Sequence, residues 1–149
     1  MGRREGALRQ SVVEALEPLG AISVENPILP GTPDVNYVEG WIELKCIERW
    51  PARHQTIVRV DHFTPQQRVF HIRRTRAGGE TWLLLEACED RDYLLLQGAT
   101  AAKMIGRATR RALTLAATAT WHGKADCRAG LLQLLSGCSD PTPPIPSAS

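Results

Sequence analysis

The chain has 149 residues, enough for one domain with a core of its own and too few for two of ordinary size. Its formal net charge of +2 neither requires nor excludes a nucleic-acid partner, so any case for DNA rests on where the basic residues sit. Cys46, Cys88, Cys127 and Cys138 form no Cys-x-x-Cys pair, and no apolar run is long enough to cross a bilayer, which argues against a structural zinc, a disulfide framework and a membrane span. No apolar segment follows the N-terminal Met-Gly-Arg-Arg-Glu-Gly, so the expected setting is reducing and cytoplasmic.

Residues 5–19 carry Leu8, Val12, Ala15, Leu16 and Leu19 at helical spacing, with Pro18 disturbing the last turn and Gly20 placed to end it. On a wheel of about 100° per residue Glu5 shares the apolar side, whereas Glu14, the alternative candidate for a first-helix acid, lies nearly opposite. Glu5 either points inward or simply favours the first turn through the helix dipole. Residues 21–24 suit a short edge strand, and Asn26-Pro27 and Leu29-Pro30-Gly31 break the chain after it.

Residues 34–38 and 41–45 alternate in polarity on either side of Glu39-Gly40, the pattern of a hairpin whose tight turn needs glycine for positive φ. That register sets Val38 opposite Trp41, Asn36 opposite Glu43 and Asp34 opposite Lys45. Asp34, Asn36, Glu43 and Lys45 then share one face, and Val35, Tyr37, Ile42 and Leu44 enter the core from the other. Beyond Pro51, residues 54–60 suit a short strand or an ordered loop.

Thr64-Pro65-Gln66-Gln67 has the form of a capping box with proline at the first helical position, predicting a helix to about residue 76 that Gly78-Gly79 ends. Trp82-Leu83-Leu84-Leu85 and Tyr93-Leu94-Leu95-Leu96, separated by Glu89-Asp90-Arg91-Asp92, predict a buried hairpin. Residues 99–105 and 107–120 look helical and a last helix ends at Leu135. The Pro- and Ser-rich residues 136–149 cannot bury enough surface to offset ordering and predict a disordered tail.

Two carboxylates held close on a rigid hairpin repel, and a hard divalent cation between them relieves that repulsion. Mg2+ takes one or two carboxylates and keeps waters that phosphate oxygens can replace. Asp34 and Glu43 supply the carboxylates and the Leu44 carbonyl a further oxygen. Lys45 lies where an ammonium can assist an attacking water and offset charge on a phosphate. By residue type alone the same face is equally a cross-strand salt bridge between Asp34 and Lys45 with Glu43 beside it.

In chain order, Gly31-x-Pro33-Asp34, Glu43-x-Lys45 and Thr64-Pro65-x-Gln67 resemble the motifs of the PD-(D/E)XK nuclease superfamily, most nearly the small VRR-NUC type related to Holliday-junction resolvases, over about residues 5–97. The resemblance implies an α/β fold with a restriction-endonuclease-like core, a central mixed sheet flanked by helices, and a helical C-terminal extension over residues 99–135 of a single nuclease domain, residues 1–135. It implies Mg2+-dependent hydrolysis of DNA phosphodiester bonds, with Mn2+ able to substitute. Asp34 and Glu43 look like its metal-binding acids, joined by the Leu44 carbonyl, and Lys45 like its catalytic lysine. Glu5 looks like the first-helix acid that completes the site, and Gln67 like the glutamine of the helix-opening motif, although capping alone also accounts for Gln67. The motifs leave the extension unexplained; it suits a dimer interface or a second DNA-contacting surface.

Arg49, Arg53 and Arg59 precede the second helix and Arg68, Arg73, Arg74 and Arg76 lie on it, so either set can neutralise phosphates beside a scissile bond. No helix-turn-helix, zinc-finger or homeodomain pattern is present, which points to DNA structure rather than sequence as the feature read: branched or junction DNA, cut in recombination and repair by a homodimer with paired sites. A non-catalytic DNA-binding or assembly protein that retains the nuclease fold is a second reading, and a sequence-specific restriction nuclease a third, against which the small size and the lack of a recognition element count. His54, His62 and His71 read as structural, Trp41 and Trp50 as packing residues, and Asn36 has no assigned role.

Overall fold

A computed structural model describes residues 3–137, so residues 138–149, most of the expected tail, lie outside the described residues. The first helix is α1 (Arg3–Ala15), continued by a 3-10 turn at Glu17–Leu19 where Pro18 interrupts the α-helical ladder, and Gly20 ends it in the left-handed region. β1 (Ile22–Ser23), β2 (Val35–Tyr37) and β3 (Gly40–Ile47) follow, then α2 (Pro65–Arg76), β4 (Glu80–Ala87) and β5 (Asp92–Gln97). α3 (Gly98–Met104), α4 (Arg110–Ala116), β6 (Ala119–His122) and α5 (Lys124–Leu135) complete the chain.

The six strands form one sheet in the order β1-β2-β3-β4-β5-β6, with β3 and β4 parallel and every other neighbouring pair antiparallel. This is an α/β fold with a mixed sheet flanked by helices. α2 makes the crossover that a parallel pair requires. α1 and α5 cover one face of the sheet, burying Leu8, Val12, Leu16, Leu131 and Leu135 against Val35, Tyr37, Ile42, Leu44 and Leu84. The other face is covered by the loop between β3 and α2 with α3 and α4, where Trp50, Val58, Phe63, Ile105 and Leu113 meet Leu83, Leu85, Leu94 and Leu96. Coverage on both sides explains why Thr81–Leu85 is buried at every position rather than alternately, and each fully buried leucine contributes roughly 1.5–3 kcal/mol. No helix among the described residues is long and apolar enough to cross a membrane.

Several expectations need correction. The stretch 107–120 is not one helix: α4 stops at Ala116 and residues 119–122 form β6, which pairs with β5. The segment after residue 98 is therefore not a purely helical extension; it supplies a strand to the sheet and, through α5, part of the core. Residues 54–60 form an ordered loop tied down by a single bridge, Ile57 with Thr109.

The first hairpin forms, but its loop is Val38-Glu39 and Gly40 belongs to β3, pairing Tyr37 with Gly40, Asn36 with Trp41 and Val35 with Ile42. Gly40 does not have positive φ. It is needed because a Cβ there would run into the Glu80 backbone of β4. Tyr37 fixes the register by donating to Glu80 Oε2 at 2.8 Å and accepting from Trp82 Nε1 at 3.0 Å. The shift is by two residues, so every side chain keeps its expected face. Asp34 now sits beside Glu43 rather than Lys45, and Asn36 gains a role by donating to the Gly40 carbonyl across the turn at 3.0 Å.

Candidate active site

β3 carries the site because its alternation sends Glu43 and Lys45 toward α2 while Leu44 and Cys46 face α1. Glu43 is 1% exposed and Lys45 4% exposed, which is rare for ionisable side chains without partners. Lys45 Nζ donates to Glu43 Oε1 at 3.3 Å and to the His62 carbonyl at 3.1 Å. His62 holds that carbonyl in place with a left-handed φ of 64°, an uncommon conformation for a residue other than glycine. A second hydrogen bond reaches Glu43 Oε1 from Gln67 Nε2 at 3.1 Å.

Gln67 performs two tasks at once. Its Oε1 accepts from the Thr64 amide at 2.9 Å while Thr64 Oγ1 accepts from the Gln67 amide at 3.2 Å, so the predicted capping box is complete. The cap pins the side chain, and the remaining amide group is directed at Glu43. α2 buries only His71 fully, so caps and polar contacts rather than an apolar stripe hold it over the site. Arg68 is another such contact, donating to the Ala102 and Ile105 carbonyls at 2.8 Å each and lying 4.5 Å from the centre of the Phe63 ring. The guanidinium expected on DNA is thus committed to the end of α3.

Asp34 immediately precedes β2. Its Oδ2 accepts from the Leu44 amide at 2.9 Å and its Oδ1 from Arg9 Nη2 at 2.8 Å. The amide and carbonyl of one strand residue point to the same edge, so the Leu44 carbonyl faces this side too. The Asp34–Lys45 cross-strand bridge does not form; two separate pairs, Arg9 with Asp34 and Lys45 with Glu43, take its place. No sequence motif marks Arg9, although it stands one helical turn after Glu5 on the same stripe of α1.

Glu5 itself lies elsewhere. The carboxylates of Glu5, Asp34 and Glu43 do not gather within 4.8 Å of one another, and Glu5 is instead within electrostatic reach of Cys46. The cause is the sheet: Cys46 and Glu43 occupy opposite faces of β3, and the start of α1 lies over the Cys46 face. Glu14 is exposed, and hydrogen bonds from Gln10 and Arg128 lower its pKa.

Burial pushes the Glu43 carboxyl up to about 8, and the nearby Asp34 charge adds to the rise; Lys45 pulls the other way and does not prevail. A 3.3 Å contact with Lys45 would ordinarily signal an ion pair, but burial and the neighbouring Asp34 outweigh it, so Glu43 carries its proton at neutral pH in the cation-free protein. Its Oε2 is buried and receives no hydrogen bond among the described residues: while protonated the carboxyl shares a hydrogen bond with Asp34, and once ionised that oxygen has no donor facing it. An orphaned carboxylate oxygen with a second carboxylate beside it is the arrangement that a hard cation relieves, so the residues present fit Mg2+. Asp34, Glu43 and the Leu44 carbonyl are the groups that would hold it. Behind them, burial and the Lys45 charge lower His71 to about 4, and both ring nitrogens of His71 and the Thr81 hydroxyl are buried with no hydrogen-bond partner among the described residues.

Of the other expected DNA contacts, Arg49 is exposed and paired with Glu48 and Glu89, and Arg53 and Arg76 are exposed. Arg73 and Arg74 line a groove of about 620 Å³ between α2 and the loop at Leu29, Pro30 and Thr32. Arg74 lies 5.9 Å from the centre of the Trp41 ring, which meets Phe70 edge-on. Trp50 is buried, donates to Asp92 at 2.9 Å and carries Arg110 on its ring. Both tryptophans therefore pack. Comparison with protein-family models, curated proteins and solved structures found no match.

Proposed function

We propose that this chain is a Mg2+-dependent DNA endonuclease of the PD-(D/E)XK type, with a restriction-endonuclease-like core most like the VRR-NUC group. It acts in the cytoplasm as a homodimer on branched or junction DNA during recombination or repair. The observation that carries the reading is the convergence of Lys45 and Gln67 on a buried Glu43 whose second oxygen receives no hydrogen bond among the described residues, with Asp34 alongside. Mg2+, or Mn2+ in its place, would supply Lewis-acid polarisation of the phosphate.

The chain's own residues do the rest. Asp34 and Glu43 would hold the cation, and Glu43 would have to give up its proton to do so. Gln67 holds the Glu43 carboxylate in one orientation. Lys45, anchored by the His62 carbonyl, offsets charge on the phosphate as it develops. The exposed Arg53, Arg73, Arg74 and Arg76 provide charge for the flanking backbone.

A second reading, a DNA-binding or assembly protein without nuclease activity, is favoured by one observation: Arg9 occupies Asp34 at 2.8 Å and Glu43 is 1% exposed, so the chain's own side chains close the site. Cutting of a four-way junction, a flap and a linear duplex, with Mg2+ and with EDTA, separates the two. The nuclease reading expects metal-dependent cutting that Asp34→Ala and Lys45→Ala abolish. Bound but uncut DNA on every substrate sinks it, and equal cutting by Asp34→Ala shows that the site lies elsewhere.

A further inference from the structure

On the opposite face of the same strand, Cys46, Glu86 and Cys88 bring their ligand atoms within 4.8 Å of one another. The parallel register sets Cys46 directly beside Glu86, and Cys88 follows two residues on, so alternation places all three on the α1 side of the sheet. Cys88 Sγ stands 3.0 Å and Cys46 Sγ 4.0 Å from the same Glu86 oxygen, Oε1. Glu86 has no ion pair among the described residues; both thiols stand at its Oε1, the Tyr93 hydroxyl also hydrogen-bonds to the Glu86 carboxylate, and the Arg4 charge lies within electrostatic reach of Cys88. Glu5, left without a place in the candidate active site, adds its negative charge beside Cys46, and Cys127 faces Glu86 from α5.

We propose that Cys46, Cys88 and Glu86 form a zinc site, with two thiolates and one carboxylate as protein ligands and water in the fourth position. Tetrahedral Zn2+ with bonds of roughly 2.0–2.3 Å separates its ligand atoms by roughly 3.5–3.8 Å, so the cluster needs only small side-chain rotations to close on the ion. The donor set is softer than the all-oxygen Asp34 and Glu43 pair, which selects zinc over magnesium at this position. Binding is balanced by release of two protons: Zn2+ replaces the hydrogens of both thiols, two Zn–S bonds form, and no electrons move. The site joins the ends of β3 and β4 and tethers them beneath α1. It does not depend on nuclease activity.

The test uses the full chain in reducing buffer, freed of metal and then titrated with Zn2+ or with Co2+ as a coloured substitute. Wild type is expected to take up one Co2+ with thiolate-to-cobalt charge-transfer absorption, to release it to Zn2+, and to melt at a higher temperature with Zn2+. Cys46→Ser and Cys88→Ser, shown to be folded by circular dichroism, lose the absorption, and Glu86→Gln weakens binding. Cys127→Ser and Cys138→Ser keep it. Absence of thiolate absorption in wild type overturns the proposal, whatever the variants do, as does an unchanged spectrum in the Cys46→Ser, Cys88→Ser double variant. A Cys46–Cys88 disulfide found by mass in the protein as purified also overturns it.

Discussion

Replacing Glu43 by glutamine keeps the shape of the side chain and removes the carboxyl whose proton burial and Asp34 hold in place. A carboxyl with an ordinary value of 4.5 raised to about 8 makes stability fall with pH. Below about pH 4.5 the group is protonated in both folded and unfolded chains, and its contribution is present in full. As the pH rises the unfolded chain sheds the proton first, so stability declines until the pH passes about 8. At about 1.36 kcal/mol per pH unit the loss is on the order of 5 kcal/mol, and at 1% exposure solvent screening does little to reduce it. Thermal melting in EDTA from pH 5 to 9 measures it. Wild type should lose on the order of 10 °C relative to Glu43→Gln across that range, since about 1 kcal/mol moves a midpoint by a few degrees in a chain of this size. Subtracting the variant's curve removes the opposite, low-pH contribution of carboxyls such as Asp92, whose pKa is lowered by its bonds to His122 and Trp50 despite burial. Saturating Mg2+ at pH 8 should restore wild type and leave Glu43→Gln unchanged. Parallel curves for the two proteins in EDTA would refute the buried, protonated Glu43.

Other expectations rest on single contacts. Arg68→Ala should cost about 2 kcal/mol in chemical denaturation, because two buried carbonyls at the end of α3 lose a charged donor, yet leave the salt dependence of DNA binding unchanged. Thr64→Ala should cost about 1 kcal/mol through the cap alone and spare cutting, whereas Gln67→Ala should cost a similar amount and also slow metal-dependent cutting. Gly98→Ala should destabilise by about 1–3 kcal/mol in the same assay, since the added methyl collides with Thr81 Oγ1 and the His71 ring.

Legibility in the sequence divides along the range of the interaction that decides each feature. The start of α2 at Thr64, Pro65 and Gln67 is a matter of four adjacent residues, and it forms as expected with both halves of the capping box. The faces of the first hairpin are legible because alternation survives a two-residue shift, but the register is not: the Tyr37 hydroxyl's contacts with Glu80 and Trp82 lie more than forty residues away. β6 is invisible because its four residues, Ala119-Thr120-Trp121-His122, acquire strand character only from β5 beside them. Arg9 carries a weak signal, one turn beyond Glu5, but a cation on that stripe runs against the acid expected there. The grouping of Cys46 with Cys88 leaves no local trace at all, since it is created by parallel pairing across a crossover helix.

The alternation of β3 has a consequence for how this chain can change over generations. Glu43 and Lys45 belong to one donor set, Cys46 to another, and a single strand one residue thick partitions them. Substitutions can tune either side separately, because neighbours in sequence are strangers in space. A one-residue insertion or deletion between positions 43 and 46 has no such freedom: it inverts the remainder of the strand, carrying the thiol among the carboxylates and the ammonium beneath α1. Point substitutions along this strand should therefore be selected position by position, while changes in its length should be lost altogether.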